Sequence, residues 1–206
     1  MHLLIVADGE RDHCVVPRLV GRILNAQIDA TFMPWKDFSG HPSRAQGTVG
    51  KGYERKLKLA LLTARNKQLA GLVATLDSDR APKGERLRQL KAARDSDREN
   101  QNLSVLPAAI GEAVPHVEAW LLDDPKAIRE ILQFPGVREI PNVRDVDPKL
   151  ALDDLCSESA REVHLLVLLA EMATSHDCER CNHRMETGLQ EFVDDVRKEL
   201  GPLVEA

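Results

Sequence analysis

Residues 72–80, Leu-Val-Ala-Thr-Leu-Asp-Ser-Asp-Arg, constrain the fold of this chain more than any other stretch. The nearly unbroken apolar run reads as a buried strand. It ends in two carboxylates two residues apart, and side chains at i and i+2 of a strand point to the same face. Asp77 and Asp79 are therefore expected to project together from the strand's carboxyl end, where open α/β sheets place their ligand sites. Two hard oxygen donors suit Mg²⁺ or Mn²⁺. A strand running into a polar turn is the plainer alternative, since Asp and Ser are also common turn residues.

The rest of the chain supplies a context for such a strand. Residues 2–7, His-Leu-Leu-Ile-Val-Ala, read as a first buried strand, and Asp8-Gly9-Glu10-Arg11-Asp12 follows as a turn crowded with carboxylates. Val15, Val16, Leu19, Val20, Ile23 and Leu24 then recur at helical spacing. Pro17 fits the first turn of that helix better than any later one. Residues 28–35 read as a second, shorter strand, 36–52 as a long Gly-rich loop, and 53–67 as a helix ended by Gly71. The order β, α, β, α, β predicts a mainly parallel sheet with crossover helices. Residues 103–110 suggest a further strand interrupted by Pro107. Asp124-Pro125 looks like a helix start running through Leu132, and 134–148 reads as a loop rich in Pro, Gly and Asn. A capping-box pattern at 159–162 predicts a helix beginning there. A last helix is expected from about Thr187 to Leu200, closed by Gly201-Pro202. The expected organisation is an α/β core over 1–133 and a helical C-terminal extension over 134–206 packed on it.

A chain of 206 residues with 43% apolar residues can bury a sizeable core, and with aromatics at 3% that core must be aliphatic. No run is long enough to span a membrane. The opening lacks a basic region before its apolar run and meets Asp8 and Glu10 at once, so a cytoplasmic protein with reduced cysteines is expected. Charge is unevenly spread. Residues 1–100 hold 18 Lys and Arg against 12 Asp and Glu, a net of +6, and residues 101–206 hold 10 against 21, a net of −11. Segment 80–98 alone carries seven basic and three acidic residues. A basic half could face a polyanion such as DNA or RNA. Arg44 and Lys51 on the long loop, with Arg80 and Lys83 after the Asp-x-Asp, are the candidate backbone contacts; solvent exposure is the simpler reading of each.

If the first strand and the Asp-x-Asp strand are neighbours, Asp8, Asp77 and Asp79 converge at one sheet edge. Glu10 and Asp12 lie in the same turn and could join them. Carboxylates so grouped can hold a divalent cation for phosphate chemistry. Glu118, beside Trp120, Leu121 and Leu122, is the remaining candidate, because a buried carboxylate needs a cationic partner or a metal.

In motif order and spacing the chain resembles the Toprim domain of topoisomerases, primases and overcoming-lysogenization-defect type nucleases. The resemblance rests on Ala7-Asp8-Gly9-Glu10-Arg11-Asp12, followed some 65 residues later by Leu76-Asp77-Ser78-Asp79. Residues 117–124, Val-Glu-Ala-Trp-Leu-Leu-Asp-Asp, further resemble a segment of a Toprim-like group of bacterial uncharacterised proteins associated with defence or mobile-element loci. The resemblance covers residues 2–125. It implies a Rossmann-like Toprim fold and a Mg²⁺-dependent, nuclease-like activity. Asp8, Asp77, Asp79 and Glu118 would be around the metal, and Asp8 or Glu10 would be catalytic. An ATPase partner is a further implication, and a homo-oligomer is left open. One position departs from the pattern: Toprim domains carry Glu where this chain has Asp8. The shorter side chain implies a tighter metal site, substitution by Glu10, or loss of catalysis. A non-catalytic regulatory or assembly subunit of the same fold is therefore the alternative.

Two further features were weighed. His176, Cys178, Cys181 and His183 offer four zinc donors within eight residues, a tight spacing for one tetrahedral site; a polar turn with inward-packed cysteines is the simpler expectation. His164, at an apolar helical spacing, reads as a core histidine, and Lys149 as a surface residue that could neutralise a phosphate.

Overall fold

The structure, a computed structural model, describes residues 1–38, 52–78, 84–100 and 104–205. Four strands, β1 (His2–Ala7), β2 (Asp29–Pro34), β3 (Gly71–Asp77) and β4 (Ala108–Ala113), form one parallel sheet in the order β2-β1-β3-β4. Residues 3–7 of β1, all of β4 and all of β3 except Asp77 are buried, as expected of parallel strands covered on both faces. On one face lie α2 (Gly52–Asn66) and α3 (Glu85–Arg98), which close a core around Leu4, Val6, Leu72, Leu76 and Ile110. On the other lies α1 (Glu10–Leu24).

The chain continues through α4 (Glu118–Leu122), α5 (Pro125–Leu132), α6 (Pro148–Ser157), α7 (Leu165–Ser175), α8 (Leu189–Leu200) and the short α9 (Pro202–Glu205). The second core runs without a break from Leu3, Ile5 and Val73 of the sheet through α1 to Leu152, Leu168, Phe192 and Val196. The C-terminal helices thus cover a sheet face: α8 packs on β4, and α7 on α1. Phe192 stacks on Trp120 at 4.8 Å between ring centroids. It also fills the space where a side chain at Gly111 would stand, since a Cβ there would lie 2.5 Å from the Phe192 ring. Among the described residues no helix is long and apolar enough to cross a membrane.

The outer edge of β4 is closed by charge. Arg94 of α3 donates to the Ala108 carbonyl (3.0 Å) and to Asp195 Oδ2 of α8 (2.6 Å). The same carboxylate oxygen accepts the Ile110 N–H at 2.7 Å. The two side chains satisfy backbone groups that another strand would otherwise take.

Several local expectations are corrected. Pro17 sits in the interior of α1, buried against the core, so the helix tolerates one missing backbone donor there. Strand β4 starts after Pro107 and is not interrupted by it. The 159–162 segment does not open a helix. Ser159 Oγ is taken by the Leu132 carbonyl (2.8 Å), and α7 begins at Leu165 with His164 as its N-cap. Helix α6, with Asp147 as N-cap and Pro148 at its first position, follows the loop directly.

Candidate functional site

In a sheet of order β2-β1-β3-β4 the connections leave β1 and β3 in opposite directions. The crevice at their carboxyl ends is the topological switch point at which such sheets bind ligands. The register pairs Val6 with Ala74, so β1 ends opposite Thr75 while β3 runs two residues further to Asp77. Asp8 and Asp77 meet there: the Asp77 backbone N–H lies 3.4 Å from Asp8 Oδ2. A cleft of about 520 Å³ opens at this point, lined on one side by Asp8, Glu10, Asp12, Asp77, His116 and Glu118.

Each acid is held differently. Asp8 is exposed, and Glu10, in the first turn of α1, stands exposed at the cleft. Asp12 is nearly buried at 6% exposure, and its Oδ2 accepts the Gly9 N–H at 3.0 Å, so it folds back over the start of α1. Burial pushes the Asp12 carboxyl up to about 7; the charges of Asp77, Asp8 and Glu118 push the same way, and the Gly9 N–H opposes them. Three neighbouring carboxylates thus act on a fourth. Glu118 is 3% exposed, and its Oε1 accepts from Arg11 Nη1 at 3.0 Å. That pairing is the cationic partner its burial requires. Arg11 also reaches Asp153 of α6 at 3.0 Å, so one guanidinium ties the acidic turn to α4 and to the C-terminal helices. His116 Nδ1 lies 3.4 Å from Asp77 Oδ2.

The donors around the cleft suit a divalent cation. All are carboxylate oxygens, the chemistry Mg²⁺ and Mn²⁺ prefer, and the mutual repulsion felt at Asp12 is what a cation would relieve. Among the described residues no group of three or more His, Cys, Asp and Glu side chains is already gathered around one point. Asp79 lies outside the described residues, as do Arg44, Lys51, Arg80 and Lys83. Of the basic 80–98 segment, Arg86 approaches the site, with Nη1 3.4 Å from the Asp77 carbonyl.

The structure therefore places the Asp8 carboxylate against the Asp77 backbone, sets Glu118 in the same cleft but paired with Arg11, leaves Glu10 exposed along it, and adds Asp12 and His116 to its lining. The sequence carries a signal for Asp12, which shares the turn of Asp8. It carries none for Arg11, whose partners lie 107 and 142 residues away. Lys149 of α6 and His164, which precedes α7, line the same cleft. His164 is exposed and caps α7 with Nδ1, which corrects its reading as a core histidine.

The four zinc candidates take structural roles. His176 Nε2 bonds the Trp120 carbonyl at 2.8 Å, and His183 Nδ1 bonds Asp123 at 2.7 Å. Cys178 and Cys181 are buried, and burial pushes the Cys178 thiol up to about 11 and raises that of Cys181 as well. Asp124, fully buried, is met by Arg180 at 2.7 Å.

Comparison of the chain with protein-family models, curated proteins and solved structures finds no significant match.

Proposed function

We propose that this chain is a Toprim-like, Mg²⁺- or Mn²⁺-dependent phosphodiester-cleaving protein, a nuclease in its chemistry. The observation that carries the proposal is the meeting of Asp8 and Asp77 at the switch point between β1 and β3, with Asp12 and Glu118 close enough to act on one another. In this reading Asp8, Asp77 and Asp79 hold the cation, with Asp12 beside them. A bound cation would supply charge stabilisation for the attacking and leaving oxygens of a phosphodiester. Asp12, poised near neutrality, holds or yields a proton at its carboxyl. Glu10, at the cleft mouth, is placed to orient or deprotonate a water. Glu118 is a positioning residue: through Arg11 it fixes the turn that carries Asp8 and Asp12. The basic N-terminal half would follow the nucleic-acid backbone. The motif resemblance further implies a role in a bacterial defence or mobile-element system.

The expected result is nicking of supercoiled plasmid with Mn²⁺ or Mg²⁺ that is reduced by at least a hundredfold in Asp77→Ala. Absence of cleavage of DNA and RNA under every divalent metal tested would remove the enzymatic reading. A second reading is supported by Asp8 standing where Toprim domains carry Glu: a non-catalytic module of the same fold that docks an ATPase. It predicts no cleavage, together with stable co-purification of an ATPase partner.

A further inference from the structure

The cleft has two walls of opposite chemistry. The carboxylates, Arg11 and His116 come from the strand ends, α1 and the segment leading into α4, and Lys149, His164, Leu165 and Leu166 come from α6 and the start of α7. Lys149 is exposed and makes no ion pair among the described residues, although it shares the cleft with Asp8, Asp12, Asp77 and Glu118. Its position is set by Asp153, one helical turn further along α6, which holds Arg11 of the acidic turn at 3.0 Å. Residues four apart share a helix face, so Lys149 stands on the face of α6 that meets Arg11 beside the cleft.

His164 adds a second donor. Its Nδ1 accepts the Leu166 N–H at 3.3 Å, so the neutral ring carries its proton on Nε2. The helix ends themselves are already engaged. Asp147 Oδ1 takes the N–H groups of Lys149 and Leu150 at 2.9 and 3.1 Å, and His164 caps α7. An anion on this wall would be met by side-chain donors and not by a helix terminus.

We infer that Lys149 and His164 form an oxyanion-binding wall that receives a nucleic-acid phosphate on the side of the cleft opposite the carboxylates. The identity of the ligand rests on the phosphodiester reading above; the two-walled geometry does not. A phosphodiester facing only the acids would be repelled. It is held when a lysine meets one side of it and a cation bridges the other to the carboxylates. The cleft volume of about 520 Å³ lies in the range of small-molecule sites and leaves room for a nucleotide unit.

The test is binding of a fluorescein-labelled single-stranded DNA in Ca²⁺ buffer, followed by anisotropy across a salt series. Lys149→Met is expected to weaken binding about fivefold to tenfold and to flatten the slope of log affinity against log salt by about 0.7, the loss of one single-strand phosphate contact. Lys149→Arg keeps the slope. His164→Ala weakens binding about twofold without changing the slope, because a neutral donor is lost. Wild-type affinity and slope in Lys149→Met overturn the inference, as does a flattened slope in Lys149→Arg or a wild-type protein that binds no DNA. Mn²⁺ binding, measured in parallel by electron paramagnetic resonance on wild type and Asp77→Ala, separates the two readings. Lysine-dependent DNA binding without Asp77-dependent Mn²⁺ binding leaves the wall standing and removes the metal. Asp77-dependent Mn²⁺ binding with an unaffected Lys149→Met removes the wall alone.

Discussion

Asp12 is the residue on which the electrostatics of the site converge. Its carboxyl titrates near 7 in the fold against 3.8 as an ordinary side chain, first because it is buried and then because Asp77, Asp8 and Glu118 surround it. A pKa raised by folding means that the native state binds the proton more tightly. The associated stability is complete below the unfolded value and is lost as pH rises through about 7. Asp12→Asn keeps an oxygen for the Gly9 N–H and removes the charge. The variant should therefore be more stable than wild type at pH 8, by an amount on the order of a few kcal/mol, and melt at a higher temperature, and the difference should shrink steadily between pH 7 and pH 4. A scanning-calorimetry series in metal-free buffer checks this; equal melting temperatures at pH 8 would mean that Asp12 is not repelled. At this scale the sequence was partly legible. Asp8 and Asp77 announce themselves because each follows an apolar run, and neighbouring parallel strands leave the ends of such runs on the same edge of the sheet. Arg11 and His116 do not, because what defines them is a partner across the cleft and not a neighbour in the chain. His164 misleads, because an apolar spacing around it cannot distinguish a stripe residue from the cap that precedes the helix.

Among elements, α8 and β4 are the most closely fitted pair. Gly111 exists on that strand because Phe192 occupies the place of its side chain. Gly111→Ala should cost about 1–3 kcal/mol through overpacking, lowering the melting temperature by roughly 3–10 °C for a domain of this size. A variant that melts with wild type would show that α8 can slide away from the sheet. Strands β1 and β3 were legible because apolar runs such as Leu3–Ala7 and Leu72–Leu76, broken only by Thr75, have few alternatives in a parallel sheet; β4, which carries Gly111 and Glu112, was less so. Helix α6 was not. Its sequence, Pro-Lys-Leu-Ala-Leu-Asp-Asp-Leu-Cys-Ser, follows directly on a loop rich in turn residues, and its helical start depends on the Asp147 cap and the proline after it. Pro17 was placed too early in α1, because a proline in a helix interior costs several kcal/mol in an exposed peptide, whereas here burial of its ring against the core offsets part of that cost.

For the molecule as a whole, the division at residue 133 describes the order of the chain better than its packing. The core beneath α1 is completed by Leu152, Leu168, Phe192 and Val196, so a fragment of residues 1–133 leaves one sheet face only partly covered. Such a fragment should lose its cooperative thermal transition and bind a hydrophobic dye, whereas the full chain should melt in one step; a cooperative melt of the fragment would restore two separate units. The site has the same dependence, since its far wall comes from α6 and α7. The Arg94–Asp195 pair adds a directional consequence. By occupying the backbone of β4 it closes one end of the sheet to recruitment of a further strand, while β2 pairs only with β1 among the described residues. Growth of the sheet through an added strand, whether from a second copy or from an extended peptide, is thereby polarised toward β2, and two copies joined in this way would present their clefts at opposite flanks of a shared sheet.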